Sequence, residues 1–218
     1  MLDRAVSVGK HLFLRFDRDL SLHCHLRLDG SWRFYSRRPP IDHRVRAVFA
    51  TRDHWALGIL LHDMALLSTS DEHTLVGHLG PDLLDPAWTD ESTAAAVRRF
   101  TADPDRPLGE TLLDQTVMAG VGNVYKSELC FLLGVSPWSP VSAVDADKAV
   151  RMARKLLRHN ALRAIRNTTG DTRRGRELWV YGREGRGCRR CGEQVLAADR
   201  GDRVTYYCPR CQPGPTAA

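Results

Sequence analysis

The chain has 218 residues, 43% of them hydrophobic, and a formal net charge of +6. That length suits one large domain or two small ones and gives enough apolar material for a buried core. No run approaches the ~18–20 consecutive apolar residues of a membrane span, and Met1-Leu2-Asp3-Arg4-Ala5 lacks the apolar core of a secretory signal.

Residues 6–60 read as strands. His11 to Phe16 alternates weakly and Leu20 to Leu28 more clearly, with Leu20, Leu22, Cys24, Leu26 and Leu28 on one face and Ser21, His23, His25 and Arg27 on the other. His23 and His25 share a face and so offer a conceivable metal pair, but no third ligand lies nearby in sequence, and the polar side of a strand is the simpler expectation. Asp29-Gly30 marks a turn before Ser31 to Tyr35, and Val45 to Ala50 and Trp55 to Leu61 form two further strands around Thr51-Arg52-Asp53. From Leu66 to Pro86 the pattern weakens, and Gly77, Gly80, Pro81 and Pro86 indicate a loop-rich connection.

A helix is expected from Thr89 to Phe100, with Asp90 or Ser92 as its cap, and a domain boundary near residues 86–90. Two helical patterns then flank Ala119-Gly120-Val121-Gly122-Asn123: Leu108 to Met118, and Asn123 to Leu133. The two glycines permit a tight reversal that exposes backbone N–H groups at the second helix, with Asn123 at its cap, an arrangement suited to phosphate. Spacing alone favours a plain helical hairpin over that site. A longer helix is expected from about Asp145 to Asn167, with Ala149, Val150, Ala153, Leu156, Leu157, Ala161 and Ala164 buried. Residues 170–187 form a Gly/Arg-rich connector.

Cys188-Arg189-Arg190-Cys191 and Cys208-Pro209-Arg210-Cys211 stand sixteen residues apart with a Tyr-rich hairpin between them. Two Cys-x-x-Cys turns joined by a hairpin bring four thiolates to one point, so Cys188, Cys191, Cys208 and Cys211 are the candidate ligands of one structural Zn2+. Disulfide pairing is the alternative. Four cysteine ligands leave no open position on the metal, so the chemistry must lie elsewhere. The lone Cys24 and Cys130 fit a reducing cytoplasm. Charge is unevenly placed: residues 147–190 carry 14 Lys/Arg against 4 Asp/Glu, and residues 1–146 carry 15 against 19. On charge alone, a nucleic-acid partner and a solvated arginine face stand level.

A strand-rich first half, a glycine-turn helix pair and a four-cysteine ribbon after a basic stretch resemble the formamidopyrimidine-DNA glycosylase / endonuclease VIII family, in its actinobacterial endonuclease VIII-like branch. The motifs are Gly9-Lys10-His11-Leu12, His25-Leu26-Arg27-Leu28-Asp29-Gly30-Ser31-Trp32, Leu113-Asp114-Gln115, Ala119-Gly120-Val121-Gly122-Asn123-Val124-Tyr125, Trp179-Val180-Tyr181-Gly182-Arg183 and Arg203 to Gln212. The resemblance implies an α+β multidomain chain with an N-terminal antiparallel β-sandwich over residues 1–86. A helix–two-turn–helix domain over 87–182, a zinc finger over 183–212 and a short tail over 213–218 follow. It implies a monomer acting in the bacterial cytoplasm, nucleoid-associated, on damaged double-stranded DNA. Such enzymes flip an oxidised base out of the duplex, cut its glycosidic bond and nick the strand through a Schiff base. Carried over, Lys10 is the hairpin lysine that contacts phosphate and is associated with β-elimination. Asn123 binds phosphate, and Arg203 grips phosphate and is associated with δ-elimination. Leu28 is the wedge that fills the hole left by the flipped base. Leu28 and the 64 residues between Asn123 and Cys188 lean toward oxidised pyrimidines over 8-oxoguanine.

The beginning departs from the family pattern. The family's nucleophile is an N-terminal proline followed by glutamate, whereas this chain opens Met1-Leu2-Asp3-Arg4 close to the hairpin lysine. Pro39 and Pro40 are internal amides without a free amine. The resemblance therefore implies a sandwich whose opening segment lies outside these residues, through a misplaced start codon or a truncated gene. The second case yields a catalytically inactive, zinc-dependent DNA-binding remnant.

Overall fold

The computed structural model describes residues 1–200 and 203–216. The chain divides into two compact units, Met1–His78 and Leu79–Ala218. No helix among the described residues is long and apolar enough to cross a membrane.

The first unit is built on seven strands: β1 (Leu2–Val8), β2 (His11–Phe16), β3 (Leu20–His25), β4 (Ser31–Tyr35), β5 (Val45–Ala50), β6 (Trp55–Ile59) and β7 (Asp63–Ser68). They form a four-stranded sheet in the order β1-β2-β3-β7 and a three-stranded sheet in the order β4-β6-β5, with antiparallel pairing throughout. Phe16 of one sheet meets Phe49 of the other at 5.6 Å between ring centroids, and Phe13, Cys24, Leu57 and Leu61 are buried. β1 and β7 were not expected. The second half of β7, from Leu66, lies in the stretch read as a loop-rich connection, and its Met64, Ala65 and Leu66 are exposed in succession and show no alternating burial.

Strand β3 ends at His25 rather than Leu28, and its inward face is also corrected. Ser21 and His23 are buried together with Cys24, while Leu20 is exposed. Polar side chains tolerate this because they are satisfied. Ser21 Oγ donates to Glu72 Oε1 at 2.6 Å, and Arg15 holds the same carboxylate through two bonds of 3.0 and 2.6 Å. These bonds join β2 and β3 to the helical turn α1 (His73–Val76) that closes the unit.

The second unit contains α2 (Asp90–Phe100), α3 (Leu108–Leu113), α4 (Asn123–Leu133) and α5 (Ala146–Asn160), followed by a hairpin of β8 (Leu196–Arg200) and β9 (Arg203–Tyr207). Its core gathers Leu83, Phe100, Leu108, Leu112, Met118, Leu129, Val150 and Leu157 from all four helices and the segment before them. Thr89, not Asp90, caps α2, with Ser92 as the reciprocal partner of a capping box. α3 stops five residues before the expected Met118. Asp114 turns the chain out of it by accepting from the Thr116 N–H and hydroxyl while Arg106 holds its other oxygen. α5 stops at Asn160 instead of Asn167, so Ala161 and Ala164 are exposed. The Asn160 side chain takes the backbone of Asn167 as both donor and acceptor, at 2.6 and 2.9 Å, which folds residues 161–166 into a loop.

Candidate functional site

In the first unit, Lys10 sits on the two-residue turn between β1 and β2, where Val8 pairs with His11 and Gly9 adopts φ +58°. Lys10 is half-buried, and its charge lowers the pKa of neighbouring His25, behind the larger effect of burial. Beneath this turn three histidines converge. His11 Nδ1 and His23 Nε2 lie 2.8 Å apart, and the His11 and His25 rings are 5.2 Å apart. The expected polar strand face is thus a partly buried histidine cluster, to which His11 arrives from β2. Burial first, then the like charges of His23, His25 and His78, bring the His11 pKa down to about 4, against the pull of Asp63.

Leu28 projects fully into solvent from the turn over residues 26–30. Gly30 N donates to Leu26 O at 2.9 Å, and a Cβ on Gly30 would lie 2.4 Å from that oxygen, so this turn requires glycine. Arg27 clamps it to β7 through two bonds to Asp63, at 2.6 and 2.7 Å. The turn holds Leu28 in water without using its side chain in any of these clamps.

In the second unit, the reversal between α3 and α4 is organised by Gln115. Its Nε2 donates to Leu113 O and Val121 O, and its Oε1 accepts from Gly120 N. Gly120 takes φ +113°, and a Cβ there would press on Leu157 at 2.8 Å. Gly122 is the N-cap of α4 and has no side chain to offer, so Asn123 is the first helical residue and not the cap. The N–H groups of the first turn point out of the helix. Asn123 turns instead to the ribbon: its Nδ2 donates to Val204 O at 2.8 Å, and its Oδ1 is buried without a protein partner. Three residues further along α4, Lys126 Nζ donates to Thr205 Oγ1 at 2.6 Å. Two adjacent residues of β9 are therefore braced on the first turns of α4. Arg203, exposed at the start of β9, directly precedes the Val204 that Asn123 holds.

The four ribbon cysteines converge as their spacing predicts. All four sulfurs lie within 4.8 Å of one another and can hold a metal ion. The closest pairs, Cys191–Cys208 at 3.5 Å and Cys188–Cys211 at 3.8 Å, are far too long for disulfides, and all four thiols are free. Burial, joined by the neighbouring thiols, pushes Cys208 and Cys211 up, whereas a backbone hydrogen bond from Glu193 draws Cys191 down to about 7. A cation among the four sulfurs would favour their thiolate forms. The ribbon is fastened to α4. Gln212, buried, accepts from Cys208 N and donates to Val135 O, while Phe131 stacks on Trp179 at 5.3 Å with Arg190 against both rings, 4.2 Å from Phe131 and 5.7 Å from Trp179.

Two buried charged side chains that position this region escaped sequence reasoning because both look like surface residues of an amphipathic helix. Lys126 is one. The other is Glu128, fully buried, whose carboxylate accepts from Trp179 N, Val180 N and Tyr181 N at 2.8 to 2.9 Å and from the Thr168 hydroxyl. It pins the connector that leads from α5 into the ribbon.

A two-turn reversal between helices, a four-cysteine ribbon braced on the second helix and a β-sandwich ahead of them define a helix–two-turn–helix protein with a metal-binding finger. Residues 79–173 match the formamidopyrimidine-DNA glycosylase H2TH domain. The chain is 50% identical over 218 residues to a probable endonuclease 8 2 of Streptomyces coelicolor, covering 95% of this chain and 77% of that protein. It is 48% identical over 214 residues to the DNA-(apurinic or apyrimidinic site) lyase Nei2 of Mycolicibacterium smegmatis, covering 97% and 82%. The Lactococcus lactis Fpg bound to DNA containing an abasic site has the same fold, with a TM-score of 0.80 at 22% identity over 98% of this chain and 82% of that one. The chain belongs to the formamidopyrimidine-DNA glycosylase / endonuclease VIII family, in its endonuclease VIII-like branch.

Proposed function

We propose that this protein is a base-excision repair enzyme that removes oxidised bases from duplex DNA and cleaves the strand at the resulting abasic site. The relatives named as endonuclease 8 and as an apurinic/apyrimidinic-site lyase, at 48–50% identity over nearly the whole chain, support the reaction class. The observation that carries the reading onto these residues is the Asn123–Val204 bond, which fixes the Arg203 strand on the uncapped start of α4. In this reading the outward N–H groups of α4, the Asn123 carboxamide and the guanidinium of Arg203, on the strand bonded to Asn123, form a phosphate grip.

The resident metal is a single Zn2+ in this reading. A zinc–sulfur bond of ~2.3 Å sets tetrahedral sulfurs about 3.8 Å apart, and the closest sulfur pairs here stand at 3.5 and 3.8 Å. With four cysteines as ligands it supplies structure and no chemistry. Lys10 contacts phosphate from its hairpin turn and assists β-elimination, Arg203 assists δ-elimination, and Leu28 fills the space of the everted base. The preferred lesions are oxidised pyrimidines such as thymine glycol. The protein acts as a monomer in the cytoplasm.

In this reading the attacking amine is the N-terminal proline that the family resemblance implies; the 11 prolines of these 218 residues are internal amides without a free amine. The test is borohydride trapping on abasic-site duplex. It compares the 218 residues with the longest in-frame product of the gene that opens on proline and glutamate. Trapping by the longer form, with binding but no trapping by the shorter, is expected. Trapping by the 218 residues alone places the amine elsewhere, and failure of both to bind the duplex overturns the DNA reading.

A further inference from the structure

Below the ribbon hairpin lies a cavity of about 470 Å³ lined by residues of α3, α4, the Pro137–Trp138 turn and β9. Lys126 reaches it from α4 and is 3% exposed. An ammonium carries three protons to donate, and its one side-chain acceptor is Thr205 Oγ1. Among the described residues, no carboxylate lies within ion-pair distance of Lys126. The other charged groups of the cavity are Arg106, Glu110, Asp114 and Arg203. Arg106 and Asp114 satisfy each other at 2.7 Å, and Glu110 is exposed. Burial, with the like charge of Arg203 added and the Cys130 thiol opposing, brings the Lys126 amine down to about 8, so it is still mostly cationic at neutral pH. A buried cation without a counter-charge is costly to hold. Lys126 and Arg203 both line this open space, which is large enough for a tetrahedral anion.

We propose that this cavity is a phosphate subsite, with Lys126 as its buried charge, Arg203 at its rim and the Thr205 hydroxyl as a further polar contact. The inference rests on the reading that nucleic acid docks at the ribbon, and it adds a phosphate-binding group beyond Asn123 and Arg203. The ligand is a phosphate group, carried either by the DNA backbone or by a small free anion. The competing role for Lys126 is a mechanical brace for β9 through Thr205.

Charge and brace are separable. Lys126→Gln keeps an amide donor for Thr205 and removes the charge, whereas Thr205→Val keeps the charge and removes the brace. Affinity of the metal-loaded full chain for abasic-site duplex is measured over a salt series. The slope of log affinity against log salt should be shallower by about 0.9 in Lys126→Gln, and unchanged in Lys126→Arg and Thr205→Val. An unchanged slope in Lys126→Gln, or an equal loss of slope in Thr205→Val, leaves Lys126 a brace and overturns the proposal. A second arm uses inorganic phosphate without DNA. Low-millimolar phosphate that raises the unfolding temperature of the wild type above chloride at equal ionic strength, but not that of Lys126→Gln, shows that a free anion also enters. A slope change without that increment assigns the site to backbone phosphate. If the wild type binds no duplex, the DNA reading fails and the phosphate arm decides alone: no increment overturns the subsite.

Discussion

Asn123 and Val204 stand 81 residues apart in sequence and share one hydrogen bond, from the carboxamide Nδ2 to the backbone oxygen at 2.8 Å. Because the carboxamide is spent on the ribbon, its Oδ1 is left buried and without a protein partner. Asn123 is therefore both a joint between helix and ribbon and a contact of the proposed phosphate grip. Asn123→Ala should remove the joint, costing about 1 kcal/mol of stability and weakening duplex binding. Asn123→Asp also loses the donor and adds an anion where phosphate is to sit, so it should bind still less at low salt. Fluorescence anisotropy on abasic-site duplex measures the order; equal affinity in the two variants would remove phosphate from the argument.

The metal and the grip are expected to fail together. Cys191→Ser, or a strong chelator, should release the ion, loosen the hairpin that presents Arg203 and lower duplex affinity in step with metal content. Metal occupancy by colorimetric assay, plotted against affinity, checks this. Full affinity in the metal-free protein would separate the ribbon from binding.

Leu28 offers a cleaner separation of stability from activity. It is fully exposed on a turn whose clamps, Arg27 to Asp63 and Gly30 to Leu26, do not involve its side chain. Leu28→Ala should change unfolding free energy by less than about 0.5 kcal/mol. It should slow excision of an oxidised base while sparing cleavage at a preformed abasic site, where no base remains to be everted. Single-turnover rates on the two substrates provide the comparison.

Histidine titration in the first unit has a definite sign. The pKa of His11 is lowered from 6.5 to about 4 by burial, then by His23, His25 and His78, with Asp63 opposing. A base whose folded pKa is depressed takes up its proton more readily in the unfolded chain. Its contribution to stability is therefore complete above pH ~6.5 and is lost as pH falls toward about 4. The melting temperature of the wild type should drop across that window, and His11→Gln should flatten the drop. Parallel profiles for the two proteins would remove His11 from the titration.

Glu128→Ala leaves the N–H groups of Trp179, Val180 and Tyr181, that of Val180 buried and the others partly so, without this acceptor, and leaves the Thr168 hydroxyl only its longer bond to Glu177 O. The expected cost is about 1–3 kcal/mol for each donor left unsatisfied. Calorimetry on the metal-loaded chain should show the loss; a change within error would mean that residues 168–181 find other partners.

Much of this was legible from residue order. The cysteine spacing brought four sulfurs together, and Asn123–Leu133 and His11–Phe16 were bounded correctly by periodicity and turn residues. What stayed hidden has a common physical origin. Ser21 and His23 point inward because Glu72, Thr69 and His11 satisfy them, and those partners come from distant stretches. α5 ends where Asn160 captures the backbone of Asn167, a side-chain choice that helical periodicity does not encode. Lys126 and Glu128 read as solvent-facing residues because burial of a charge depends on what folds over it.

The Glu128 junction also bears on the order in which the second unit assembles. The ribbon's own contacts close loops of 17 to 23 residues, short enough to form early around a metal. Glu128 must wait for a segment 40 to 53 residues downstream, and Asn123 and Lys126 for one 79 to 81 residues away. Topology of this kind favours a metal-loaded finger that forms as an independent bead and docks last. During synthesis, α4 would then spend an interval with an ammonium and a carboxylate uncovered on nearly opposite sides, a window in which the nascent chain is most exposed to proteases and chaperones.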